Sequence, residues 1–281
     1  LTKKNRAVVF AVSKDLAFSV ACVMMDIKKL SPNLADEIVV IHNGIQEKDQ
    51  KLLTSILPTR FIHYSLPIDK SLISDDILNY FTEMVFAKFE CLRLLDEYEN
   101  VMLMDYDMVI QEDISELFEH CDSGTKMMPS EVTPVRKQLH VDIEDYDMDV
   151  IGNCACIFVF QDHLKNYKKA YDFCYESLIK YHDKIYLPEQ AIFDFMIQEF
   201  NLQICPIDGK IYSPHPTDSE NAKNAKIIHA YGQPKFWNGL ENEQWNKNYK
   251  IWIEMGGSKY KKKSPITRVK NKIVNILSRI K

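Results

Sequence analysis

Met102-Leu103-Met104-Asp105-Tyr106-Asp107-Met108-Val109-Ile110 decides how this chain is read. Two carboxylates, one residue apart, interrupt an otherwise apolar run. Apolar runs bounded by polar segments read as buried strands. Desolvating two charges inside such a strand costs too much unless a partner compensates. A divalent metal is the plausible compensator. Two carboxylates at a strand end can hold a hard cation and leave positions free for phosphate oxygens. The stretch therefore points to a nucleotide or phosphate substrate.

Upstream of it, strand and helix patterns alternate. Arg6–Val12 reads as a strand, Ala17–Leu30 as a helix ended by Ser31-Pro32-Asn33, and Glu37–His42 as a second strand. Gln46–Leu57 reads as a helix stopped by Pro58, and Arg60–Tyr64 as a third strand. Phe81–Leu95 is expected to be one long helix leading directly into a 101–110 strand. Alternation of this kind implies an α/β fold, with a mostly parallel sheet and helices on both faces.

Downstream, Ile114–Phe118 reads as a short helix or turn and Thr125–Pro129 as a strand. The polar, acidic Thr133–Asp149 reads as a mobile loop or lid. Asn153–Phe160, Ile204–Ile207 and Lys226–His229 read as strands, Lys165–Tyr181 and Pro188–Phe200 as helices. The apolar run ending at Met104 places Asp105 at the carboxyl end of a strand, the edge where open α/β sheets bind ligands. A second Asp-x-Asp, Asp147-Met148-Asp149, has no preceding strand and is expected to be solvated.

With 281 residues and 46% hydrophobic content, the chain can build one large α/β domain or a domain with an appendage. Its seven cysteines (Cys22, Cys91, Cys121, Cys154, Cys156, Cys174 and Cys205) include no Cys-x-x-Cys pair. They are expected to be buried reduced thiols, as in a reducing cytoplasm. Lys3, Lys4 and Arg6 run straight into the first strand, so no signal peptide is expected. No apolar stretch approaches the ~20 residues of a membrane span.

Net charge is −5, yet Ser258–Lys281 holds nine Lys or Arg and no acid, so the other 257 residues carry −5 − 9 = −14. An acidic body argues against a nucleic-acid partner. The tail spaces Ile266, Val269, Ile273, Ile276, Leu277 and Ile280 three and four residues apart among basic residues, behind Lys261-Lys262-Lys263. That pattern predicts a basic amphipathic helix suited to an anionic membrane surface. The division expected is a catalytic domain over 1–257 and a membrane-association segment over 258–281.

A second constellation runs from Ile227 to Trp237. His229 ends a short apolar strand, where a neutral imidazole can bind a metal. Gly232 permits close backbone approach, and Lys235 can reach a phosphate.

Together these motifs resemble the family 8 glycosyltransferases, the retaining group with glycogenin and the bacterial lipopolysaccharide galactosyl- and glucosyltransferases. The resemblance covers about residues 6–240. It rests on Asp105-Tyr106-Asp107-Met108-Val109-Ile110 followed by Asp113-Ile114-Ser115-Glu116-Leu117-Phe118. It rests also on His229 to Trp237, with Phe236 where the family commonly has proline. The resemblance implies a GT-A-type, Rossmann-like nucleotide-diphospho-sugar transferase fold. It implies Mn²⁺, with Mg²⁺ as the alternative, held by Asp105, Asp107 and His229 together with the donor's phosphates. Tyr106 falls within that motif and joins the donor-binding set, and Gly232 and Lys235 would touch the phosphates.

Other matches are looser. Phe86-Ala87-Lys88-Phe89 puts Lys88 where the family has a donor-holding arginine. Gly152-Asn153-Cys154-Ala155 would put Asn153 against the donor sugar. Pro188-Glu189-Gln190-Ala191 would put Glu189 on sugar hydroxyls and Gln190 beside the anomeric carbon. Glu189 could equally be a helix-start carboxylate favoured by the dipole. Ala11, Ser13 and Asp15 stand where the family reads base and ribose.

The function implied is transfer of a hexose from a UDP-sugar to a saccharide or glycolipid acceptor, with retention, at the inner face of a membrane where cell-surface glycan is built. Two rivals differ in class. A haloacid-dehalogenase-type phosphatase would use Asp105 as nucleophile and Asp107 as general acid, but needs a downstream strand ending in paired acids, and none is found after residue 113. A non-catalytic membrane-surface protein would use the basic tail as its working part.

Overall fold

The computed structural model describes residues 3–73, 77–78 and 81–261. Its elements are β1 (Lys4–Val12), α1 (Ala17–Leu30), β2 (Glu37–His42), α2 (Glu47–Ile56), β3 (Thr59–His63) and α3 (Glu90–Leu94). Then come β4 (Tyr98–Met104), β5 (Met108–Ile110), β6 (Thr125–Pro134), β7 (Ile151–Gln161), α4 (Tyr167–Tyr181) and α5 (Pro188–Glu199). Last are β8 (Cys205–Pro206), α6 (Gly209–Tyr212), β9 (Ile227–His229) and α7 (Glu243–Glu254).

Seven strands form one sheet in the order β3-β2-β1-β4-β7-β6-β8. β3, β2, β1 and β4 are mutually parallel, and β8 is parallel to β6, while β7 runs antiparallel to both neighbours. The sheet is thus mostly parallel, as alternation predicts. Strand alternation splits the core. Ala7, Val9 and Ala11 face one layer and Val8, Phe10 and Val12 the other. Both faces of these strands are covered, which is why they read as continuous apolar runs.

The 101–110 run is not one strand. β4 ends at Met104, and β5 leaves the large sheet to pair antiparallel with β9, Met108 opposite His229. Asp105-Tyr106-Asp107 is the crossover between the two sheets. Nor is 81–95 one helix: a 3₁₀ segment, Glu83–Phe89, precedes the five-residue α3.

The 133–149 segment is packed instead of open. β6 extends to Pro134, and a 3₁₀ turn follows over Val135–Gln138. Val135, Gln138, Ile143 and Met148 are buried, and Tyr146 stacks on Phe195 with ring centroids 4.5 Å apart. Its acidic residues stay at the surface, where Arg136 pairs with Asp142 and Asp149. Asp147 and Asp149 are solvent-exposed, as expected.

Two cysteines depart from the reduced reading. Cys121 and Cys205 form a disulfide, Cα–Cα 6.1 Å. β8 pairs with β6 at Lys126–Cys205, so sheet register brings together residues 84 apart in sequence. No local Cys spacing could announce this. Cys22, Cys91, Cys154, Cys156 and Cys174 remain free thiols, and cysteine usage does not point to one compartment.

α7 was not foreseen. Only Trp245, Asn248 and Trp252 are buried along it, too sparse an apolar stripe to read as a helix. Asn242 caps it by accepting from the Trp245 N–H. Buried Asp26 of α1 fastens it, accepting from Gln244 Nε2 and Asn248 Nδ2, both at 2.6 Å, and from the Ile110 N–H at 3.2 Å. Burial outweighs these donors and pushes Asp26 up to about 6. Asp26→Ala takes an acceptor from all three donors, of which Gln244 Nε2 and Asn248 Nδ2 keep the Ile110 and Cys22 carbonyls, and is expected to cost about 1–3 kcal/mol. The check is the urea midpoint at constant m-value. A loss under about 0.5 kcal/mol, the range of ordinary surface changes, would contradict it.

Beyond α7, Ser258 donates its N–H to Asp49, and Tyr260 packs against Phe18 and Trp237. The expected amphipathic helix lies within 262–281, outside the described residues. No described helix is long and apolar enough to cross a membrane.

Candidate active site

The crossover out of β4 carries the site. The Asp105 N–H bonds to the Cys156 carbonyl of β7 at 2.8 Å, still in sheet fashion, before the chain turns away. The Ser19 hydroxyl holds the Tyr106 carbonyl at 2.6 Å. The Ala230 N–H holds the Asp107 carbonyl at 2.9 Å, extending the β5–β9 pairing. This small second sheet brings His229 to the aspartates.

His229 Nε2 lies 3.2 Å from Asp107 Oδ1 and 3.9 Å from Asp105 Oδ2. Ligand atoms of the three residues all fall within 4.8 Å of one another, a grouping found nowhere else among the described residues. The Ser213 hydroxyl, 2.9 Å from His229 Nδ1, fixes the ring with Nε2 toward the carboxylates. Such an outer partner is usual for a metal-binding histidine. Two carboxylates and one imidazole fit a divalent cation with hard-oxygen preference.

Two lysines flank the trio. Lys235 donates to Asp107 Oδ2 and, at 2.8 Å, to the Ala230 carbonyl. Buried Lys88 lies 3.0 Å from Asp105 Oδ1 and 3.3 Å from Glu189 Oε1, and donates to the Ala155 carbonyl at 2.8 Å. Burial would drive Lys88 neutral, but Asp105 and Glu189 outweigh it and hold its pKa above the ordinary value. Burial raises Glu189, with Lys88 pulling the other way.

Charge is similarly contested at the trio. Burial would raise Asp107, yet His229 and Lys235 hold it well below the usual carboxylate range. Burial would lower His229, yet Asp107 holds it up at about 10. A cation taking His229 Nε2 must displace that proton. With one proton released, affinity should rise about tenfold per pH unit below pH ~10. Titrating Mn²⁺ by calorimetry should show its Kd falling about 100-fold from roughly pH 6 to 8. A flat profile would remove His229 from the ligand set.

The remaining expected residues are spread around this centre. Ala11 is buried, Ser13 half-buried and Asp15 exposed, at or just past the carboxyl end of β1, beside β4. The Tyr106 ring lies 6.4 Å from Trp237. Gly232 has φ +68°, a conformation side chains rarely adopt. Glu189 is buried behind Pro188 at the start of α5, paired with Lys88 as well as placed at the helix N-terminus. Gln190 is half-buried and makes no side-chain hydrogen bond among the described residues. Asn153 is buried, its amide bonded to Asp194 at 2.6 Å.

Three residues with a place here escaped sequence reading: Ser213, Gln138 and Asp194. Nothing in Tyr212-Ser213-Pro214 marks Ser213. Asp194 did carry a signal. It is a charge inside the apolar Ala191–Met196 run, four residues after Gln190 and so on the same helix face.

An open sheet with an acidic crossover at the carboxyl end of its central strand is the architecture of GT-A-type glycosyltransferases. WbbM, a bifunctional glycosyltransferase in its apo form, superposes with TM-score 0.67 at 16% identity, over 91% of this chain and 52% of its own. The chain thus spans about half of WbbM. The galactosyltransferase LgtC, solved with donor and acceptor sugar analogs, gives TM-score 0.64 at 15% identity, over 94% and 99%. The apo form of GlyE from Streptococcus pneumoniae TIGR4 gives 0.57 at 15%, over 90% and 64%. No curated protein sequence matches. The model of glycosyl transferase family 8 matches residues 7–241, and the chain belongs to that family. It is a glycosyltransferase, of a family whose enzymes use nucleotide sugars and a divalent metal.

Proposed function

We propose that this enzyme moves a hexose from a UDP-sugar to a saccharide or glycolipid acceptor with retention of anomeric configuration, using Mn²⁺. The observation that carries this reading is the convergence of Asp105, Asp107 and His229 within 4.8 Å, flanked by Lys88 and Lys235. Bound there, the cation would act as a Lewis acid, neutralising charge on the departing nucleoside diphosphate.

The chain's own groups do the rest. Lys235, held beside Asp107, is placed to turn to a phosphate oxygen. Lys88 fixes Asp105 and Glu189 relative to each other, and Glu189 and Asn153 orient the sugar. Ala11, Ser13 and Asp15, beside the central strand, hold the base and ribose. A retaining glycosidase would place a carboxylate nucleophile beside the anomeric carbon. Gln190 is a poor nucleophile, which favours front-side attack with the leaving phosphate accepting the incoming hydroxyl's proton.

A panel of nucleotide sugars with Mn²⁺, scored for nucleoside diphosphate, tests this. UDP-hexoses should turn over with metal and not without it. Release from no nucleotide hexose would sink the reading.

The basic tail gives a location. We place the enzyme on the inner face of a membrane, where a glycolipid acceptor for cell-surface glycan, lipopolysaccharide among them, would be found. A chain ending at Lys261 keeps the Ser258 and Tyr260 contacts. It should transfer to a soluble acceptor yet lose binding to anionic vesicles at low salt. Equal vesicle binding by both forms would refute the tail's role.

A further inference from the structure

Asn153 and the start of α5 come from distant parts of the chain, and one buried pair joins them. Asp194, on α5, is almost fully buried and accepts three groups. The Asn153 N–H reaches its Oδ2 at 3.0 Å, Asn153 Nδ2 its Oδ1 at 2.6 Å, and Gln138 Nε2 its Oδ2 at 2.7 Å. Gln138 is equally committed. Its carbonyl accepts from the Tyr186 and Leu187 N–H groups at 2.7 and 3.0 Å, immediately ahead of Pro188-Glu189-Gln190.

We propose that Asp194, seconded by Gln138, is the positioning residue that turns the Asn153 amide oxygen toward the donor sugar and locks it in register with Glu189 and Gln190. The inference rests on Asn153 being a donor-sugar contact.

The chemistry permits one orientation. Burial pushes Asp194 up to about 6, against the pull of its Asn153 and Gln138 donors, so above that pH it is an ionised carboxylate that only accepts, and the nitrogen side of Asn153 must face it. Asn153 Oδ1 then has no partner among the described residues and is offered as an acceptor to a sugar hydroxyl. Gln138 shows what the arrangement requires. It spends its amide N–H on Asp194 and leaves its own Oε1 buried without a hydrogen bond. A buried unpaired acceptor is costly, and it is tolerated where a carboxylate must be held. Gly152 makes the room. A Cβ there would lie 2.2 Å from Gln138 Nε2 and 2.9 Å from Asp194 Oδ2.

The test compares N153A, D194A, D194N and the N153A/D194A double variant. It reads kcat and KM for the UDP-sugar the enzyme turns over, Mn²⁺-dependent binding of UDP alone, and thermal unfolding. D194A should lose about 10²-fold in kcat/KM for the sugar nucleotide, the order of loss for a misplaced contact. Its UDP binding should be unchanged, because the amide faces the sugar. D194N should recover part of the loss, since one amide oxygen can still accept from Asn153. The double variant should be no worse than N153A.

Additive losses, or D194A matching the parent while N153A is impaired, would overturn the proposal and leave Asn153's role standing. An unimpaired N153A would remove the donor contact itself, and the proposal with it. Should D194A fail to fold, D194N decides alone: parent-level kcat/KM together with parent-level stability means the carboxylate is not required.

Discussion

Asp107→Ala is expected to lower metal-dependent kcat/KM by about 10³-fold or more, the equivalent of some 4 kcal/mol of charge stabilisation at the leaving diphosphate. Asp107 is the pivot of the trio. His229 and Lys235 both lean on its carboxylate, while Asp105 is shared with Lys88. Removing it takes one ligand from the cation and the fixed partner from two cationic side chains. The Asp107 backbone is independently secured by the Ala230 N–H and the Met108–His229 register. The fold should therefore survive, and unchanged circular dichroism should accompany the loss.

A second consequence separates this effect from general damage. With Asp107 gone, burial dominates at His229 and its pKa drops from about 10. Residual metal binding in the variant should depend less on pH than in the parent. Transfer at the parental rate would refute the metal assignment.

The acidic pair was legible for a physical reason. Charges in a buried strand need a compensator, so Asp105 and Asp107 stand out from sequence alone. The same rule applied to Asp194 would have found it, since it sits in an equally apolar run. Other features depend on which strand lies beside which, and hydrophobic periodicity carries no such information. The step from β4 to β5 reads as continuous because both strands are apolar, although they belong to different sheets. The Cys121–Cys205 bond follows from β6–β8 register. The packed 133–149 segment hid behind its acids, because Val135, Ile143 and Met148 are spaced too irregularly to mark an element. The family motif around His229 mattered most. It joined residues 122 apart that only the β5–β9 pairing brings into contact.

Lys88→Met is expected to abolish transfer and to destabilise the protein by about 3–5 kcal/mol near neutral pH, the usual cost of breaking a buried ion pair by removing one partner. Methionine keeps the apolar stem, so lost packing contributes little. What is lost is the ammonium between Asp105 and Glu189 and its bond to the Ala155 carbonyl. Glu189 is then a buried carboxylate without its cation. Its pKa, already raised by burial, rises further because Lys88 was the opposing pull. The sign of the pH dependence follows. A carboxyl whose folded pKa lies above its unfolded value contributes stability that is complete below the unfolded pKa and lost as pH rises through the folded one. The deficit of K88M relative to the parent should thus be largest from neutral to mildly alkaline pH, because above the ordinary lysine value of 10.5 the parent begins to lose the stability that its raised Lys88 contributes. It should shrink on acidification toward the ordinary glutamate value of 4.5. Activity should not return with it, because protonated Glu189 still lacks the cation that aligns it with Asp105. Urea denaturation of both proteins across this range is the measurement. A pH-independent deficit would show that Lys88 serves packing alone, and full activity in K88M would remove it from the site.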